Sequence, residues 1–98
     1  MATYVNLMKL TDQGVQNYKD TLNRAQHYWA SIEKAGGRVL HQVWTLGEYD
    51  IVTLFEAPDD ETAASLAVRL SSLGNVRVST LRGFGADEVR NIIGKSQQ

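Results

Sequence analysis

Few residues of this chain have types and spacings that could do chemistry. It has no cysteine, which removes disulfides, thiol nucleophiles and thiolate zinc sites together. Its two histidines, His27 and His41, lie fourteen positions apart on different predicted elements. They form no His-x-x-x-His or Glu-x-x-His pair, so no metal site is expected. Asp59-Asp60-Glu61 follows Pro58 and precedes an apolar periodic segment. That run reads as the negative start of a helix rather than a metal or acid/base pair. No Walker, dinucleotide-binding, Ser/His/Asp or glycosidase pattern is present.

What remains is a set of neutral polar and aromatic groups with one arginine. Asn6 stands in mid-strand between Tyr4 and Met8. Once covered, its amide must be hydrogen-bonded, either to neighbours and water or to a ligand. Trp44 and Thr53 are expected on the same face. Gly47-Glu48-Tyr49-Asp50 reads as a hairpin turn. Gly47 allows a positive φ, Asp50 can bond turn amides and Tyr49 can pack over the turn; alternatively the last two touch a ligand. Arg77 can meet an anionic ligand or a carboxylate of a partner chain. The candidate ligand-binding set is therefore Tyr4, Asn6, Trp44, Tyr49, Asp50, Thr53 and Arg77. No acid, base or nucleophile among them has an evident activator, so no catalytic residue and no cofactor is assigned.

The elements that carry these residues follow from periodicity. Ala2–Leu10 alternates as a strand, with Tyr4, Asn6 and Met8 on one side and Val5 and Leu7 on the other. Val15, Tyr18, Leu22, Ala25, Trp29 and Ile32 form a helical stripe. Gly14 and the Asp20-Thr21 cap suggest a short helix followed by a longer one, ended by Gly36-Gly37. Arg38–Leu46 and Tyr49–Ala57 read as a hairpin of strands. Ala63, Leu66, Ala67, Leu70 and Leu73 mark a second long helix that Gly74-Asn75 stops. Val76–Phe84 is a fourth strand, and Asp87–Lys95 a last helix burying Val89, Ile92 and Ile93. Residues 1–98 make one domain, with 95–98 a loose tail. The order predicts an α+β fold: a ferredoxin-like βαββαβ four-stranded antiparallel sheet plus a C-terminal helix, with the first and third strands central.

Two helices cover only one face of such a sheet. With Val5, Leu7, Val52, Leu54, Val76 and Val78 placed under the helices, the opposite face carries Tyr4, Asn6, Met8, Leu40, Gln42, Trp44, Ile51, Thr53, Phe55, Ser79 and Leu81. A patch that apolar calls for a partner, and a self-complementary homodimer is the commonest solution.

Trp44-Thr45-Leu46-Gly47-Glu48-Tyr49-Asp50-Ile51-Val52 resembles the signature of the GYD-domain family, as do the segments around Thr11–Gly14, Glu56–Asp60 and Leu73–Arg77. The resemblance reaches nearly to the final helix. It implies a dimeric α/β barrel, in which two ferredoxin-like sheets face each other, and a bacterial or archaeal setting, but no established chemistry. A similar Gly-x-Tyr-Asp hairpin lies near an effector site at a subunit interface in the leucine-responsive regulator family. This chain lacks that family's helix-turn-helix, so DNA binding does not carry over. Asn6, with Trp44, also resembles the catalytic asparagine of cofactor-light monooxygenases and haem-degrading enzymes of the same superfamily. Neither histidine offers the axial ligand that haem needs.

Composition bounds the rest. The 98 residues suffice for one domain, and 43% apolar with 21% charged residues is globular composition. A net charge of −1 gives no footprint for nucleic acid or anionic lipid, and no apolar run spans a membrane. With no secretory pattern at Met1–Tyr4, a cytoplasmic protein is expected. Three functions fit: a homo-oligomeric small-molecule-binding or sensing module with its pocket between facing sheets, a cofactor-independent oxygenase or isomerase, or a purely structural assembly protein. The binding module is favoured, because mid-strand polar groups suit a site better than a dry interface and no group is activated for catalysis.

Overall fold

The computed structural model describes residues 1–98. The elements are β1 (Ala2–Leu10), α1 (Asp12–Gln16), a single 3-10 turn (Tyr18–Asp20), α2 (Thr21–Lys34), β2 (Arg38–Trp44), β3 (Ile51–Ala57), α3 (Asp60–Ser72), β4 (Val76–Gly83) and α4 (Ala86–Ser96). All strand pairs are antiparallel and the order is β2-β3-β1-β4, so β1 and β3 are central as expected. The fold is the ferredoxin-like α+β arrangement. No helix is long and apolar enough to cross a membrane.

Local chemistry sets the helix boundaries. The Thr11 side chain accepts the Gly14 N–H at 3.1 Å and starts α1. The first helical stretch breaks into two: Ala25, Tyr28 and Ile32 of α2 are buried, while Val15 of α1, Tyr18 of the 3-10 turn and Leu22 in the first turn of α2 are exposed. Asp59 caps α3 by accepting the Thr62 N–H at 2.8 Å, which holds its carboxyl below the usual range. Gly36, just past α2, takes φ 91°.

The face assignment is reversed. Tyr4, Asn6 and Met8 of β1 and Ile51, Thr53 and Phe55 of β3 are buried, and most join the core with Tyr28 and Ile32 of α2 and Leu66 of α3. They lie under the helices. Val5, Leu7, Val52 and Leu54 occupy the uncovered face. Val76 and Val78 do pack on the helix side, and Ser79 and Leu81 do face away. Both parities of the central strands are apolar, so alternation alone could not choose between them. Partners decide it, because the helices carry the groups that satisfy Tyr4, Asn6 and Gln42. In β2 the register slips between Val39 and His41. This bulge turns Val39, Gln42 and Trp44 toward the helices and His41 and Val43 away.

Two further expectations change at the chain's edges. The β2–β3 strands end earlier than the pattern suggests, at Trp44 and Ile51; just beyond them the Thr45 N–H bonds to the Asp50 carbonyl and the Asp50 N–H to the Met8 carbonyl, both at 2.8 Å. Helix α4 buries none of its residues: Val89, Ile92 and Ile93 are 40%, 45% and 52% exposed. It also runs one residue beyond the expected helix end at Lys95, through Ser96.

Candidate functional site

On the helix side, the polar groups of the central strands bond to the helices. Asn6 and Thr53 are fully buried. The Asn6 amide nitrogen donates to the Tyr28 hydroxyl, and its oxygen accepts from Thr80 Oγ1 at 2.9 Å. Gln42 Oε1 accepts from Trp29 Nε1 at 2.6 Å and from Thr53 Oγ1 at 2.8 Å. The Tyr4 hydroxyl donates to Asp60 Oδ1 at 2.5 Å, and its ring stacks on Phe55 with centroids 5.6 Å apart. Burial, reinforced by Asp60, pushes the Tyr4 hydroxyl up to about 12. Burial also pushes Tyr28 up to about 12, with the Asn6 hydrogen bond pulling the other way. Trp44, at the edge, donates from Nε1 to Thr21 Oγ1 at 3.1 Å.

Asn6, Thr53, Tyr4 and Trp44 therefore share one face, as expected. That face is packed against helices rather than open to a second sheet, so these four cannot line a pocket between facing sheets. Their polar atoms are taken up by α2 and α3 and by Gln42 and Thr80 of the two edge strands. The sequence signal for this lies in α2, where adjacent Tyr28 and Trp29 each bring an apolar ring with a polar tip.

The Gly47–Asp50 hairpin is fastened to the end of β1. Gly47 takes φ 102°. The Asp50 carboxylate accepts the Leu10 N–H at 2.8 Å, and Thr45 Oγ1 donates to the Tyr49 carbonyl at 2.6 Å. Lys9 lies over the Tyr49 ring, 5.4 Å from its centroid, and 3.7 Å from Glu48. Lys9 is also the register partner of Arg77. Tyr49, Asp50 and Arg77 thus flank the end of β1, away from Asn6.

The uncovered face is an apolar grid. Register across β2-β3-β1-β4 aligns His41, Leu54, Val5 and Leu81 in one row and Val43, Val52, Leu7 and Ser79 in the next. Arg38 and Glu56 pair at 3.0 Å beyond one end. Lys9, Glu48 and Arg77 stand beyond the other. Arg77 has no ion pair within its own chain. Such a surface is suited to burying area against another surface.

The chain matches the protein-family model described as GYD domain over residues 4–93. A protein of Thermus thermophilus, named glutamine synthetase and cystathionine beta-lyase binding protein, is 35% identical over 85 residues, or 86% of this chain and 90% of that protein. A solved structure from the same organism superposes with a TM-score of 0.56 at 26% identity, covering 88% of this chain and 96% of that one. The Mycobacterium tuberculosis leucine response regulatory protein superposes with a TM-score of 0.65 at 19% identity, a likeness of fold. It covers 87% of this chain, which spans 51% of that protein.

Proposed function

The chain belongs to the GYD-domain family, and on that footing we propose that it is a homo-oligomeric binding module whose first partner is a second copy of itself. The observation that carries this reading is the apolar grid on the uncovered sheet face. Val5, Leu7, Val43, Val52, Leu54 and Leu81 come from all four strands and meet no other layer of the chain. Two such faces laid together would bury them mutually, as a two-fold interface allows. The rim suits the same partner, because unpaired Arg77 can meet Glu48 or Glu56 of the facing copy. The apolar residues of α4, exposed in the single chain, offer further area to a partner.

A protein-binding role for the assembled module draws support from the Thermus relative, whose name records two enzymes as its partners. The oxygenase or isomerase reading loses its central residue, since Asn6 is sealed from solvent with both amide ends bonded. We place the module in the cytoplasm, where a cysteine-free chain loses nothing by the lack of disulfides.

The test is sedimentation at micromolar concentration. The natural chain is expected to run as a dimer or larger assembly. Leu54→Glu, which puts a charge in the centre of the grid, is expected to run as a folded monomer. A natural chain that sediments cleanly as a monomer overturns the reading.

A further inference from the structure

Between α2 and α3, above the sheet, lies a cavity of about 120 Å³. Its floor is apolar, formed by Met8, Ile51, Leu66 and Val76. Arg24 and His27 of α2 and Arg69 of α3 also line it, and no Asp or Glu does. Two arginines in the lining of an acid-free cavity create a local field that favours an anion.

Arg24 supplies an independent reason. Its Nη1 donates to the Asn17 carbonyl at 2.8 Å. Its Nη2 is buried without a hydrogen-bond partner, the only buried side-chain nitrogen or oxygen in the chain so placed. Neither Arg24 nor Arg69 belongs to any of the four ion pairs. An unmet charged donor costs free energy, and a carboxylate oxygen is the acceptor that suits a guanidinium best.

We propose that this cleft binds a small organic carboxylate, its charged group on Arg24 Nη2 with Arg69 near the mouth and a compact apolar body on the Met8–Ile51–Leu66–Val76 floor. Size limits the class. A cavity of roughly 150 Å³ accommodates a benzene-sized molecule, so the apolar body here has about four to six carbons. Short branched acids fit that description; nucleotides and haem are too large. The site lies within one chain and does not depend on pairing through the sheet face.

The test is an amide-resonance titration of the labelled chain with 3-methylbutanoate, its neutral amide, acetate and inorganic phosphate. The branched acid is expected to shift Ala25, Leu70 and Val76. Its amide, acetate and phosphate should each bind at least about tenfold more weakly, since one lacks the charge and the others lack the apolar body. Arg24→Gln and Arg69→Gln should each weaken the acid by about tenfold. Arg69 is exposed, so its variant keeps the test open if Arg24→Gln does not fold. The Leu54→Glu chain should bind the acid as the natural chain does. The assignment is overturned by the absence of shifts at these residues, equal binding of the amide or of phosphate, indifference to Arg69→Gln, or loss of binding in Leu54→Glu.

Discussion

The Asn6 amide bridges β4 to α2 because both of its ends are used, one by Thr80 and one by Tyr28. Truncating it leaves the buried Tyr28 hydroxyl without its partner, frees the exposed Thr80 hydroxyl to bond water and opens a void in a fully buried position. Asn6→Ala is therefore expected to cost about 2–4 kcal/mol, read as a lower urea midpoint at unchanged slope. The two buried tyrosines give the fold a pH limit. Both hydroxyls are raised from 10.0 to about 12, chiefly by burial. A raised pKa means the folded state holds the neutral form. That stabilisation is complete below pH 10, the unfolded value, and is lost as pH climbs through about 12. The urea midpoint should fall steeply across this window. Tyr28→Phe should be less stable at neutral pH, because the Asn6 amide loses its acceptor, yet show a shallower alkaline fall. An unchanged alkaline slope in that variant would mean that Tyr28 is not held neutral by the fold.

Elements are joined here by short polar contacts at their ends. Asp50 ties the β2–β3 hairpin to β1, and Asp50→Ala should cost about 1–2 kcal/mol by leaving the Leu10 N–H without its acceptor. Two glycines make a contrasting pair. A Cβ on Gly14 of α1 would lie 2.0 Å from the Asn75 carbonyl oxygen, whereas one on Gly94 of α4 would meet nothing within 4 Å. Gly14→Ala should destabilise by about 1–3 kcal/mol. Gly94→Ala should instead strengthen α4 by about 0.5–1 kcal/mol. Paired thermal melts with helix content measured by circular dichroism separate the two effects. These joints also show what the sequence could reveal. Strand order, the broken first helix and the Gly36-Gly37 stop were legible, since each follows from local period or backbone freedom. The buried face was not, because Tyr4, Asn6 and Met8 compete with Val5 and Leu7, and the hydroxyl of Tyr28 that decides the matter is 22 positions from Asn6. The bulge at Leu40 has no glycine to announce it, and it alone separates the side of Val39 from that of Val43. Asn6 and Trp44 do share a face, as their spacing suggests, but the helices close that face to a ligand between sheets. The Arg24 cleft escaped notice because an arginine in a helix reads as solvated until its surroundings are known.

At the scale of the whole molecule, one chain is longer than its core requires. Its radius of gyration is 14.8 Å and its extents are 52 × 30 × 19 Å, against about 13 Å for a compact chain of this length. Helix α4 has no buried residue. It is tied back by the Arg82–Glu88 ion pair at 3.1 Å, while Glu88 also caps the helix by accepting the Gly85 N–H at 3.1 Å. These contacts aim the helix, but its apolar side contributes no burial to its own chain. On the proposed reading, Val89, Ile92 and Ile93 gain an apolar environment from a second copy, the partner proposed for the uncovered sheet face. Ile93→Lys should therefore weaken self-association by about tenfold or more through loss of buried aliphatic area. It should leave the urea midpoint of the dissociated chain unchanged. Sedimentation equilibrium measures the first quantity, and unfolding in the Leu54→Glu background, where pairing is already broken, measures the second. A lowered midpoint in that background would mean that α4 folds back onto its own sheet in solution. An unchanged association constant would confine the interface to the sheet and leave α4 free for a different partner.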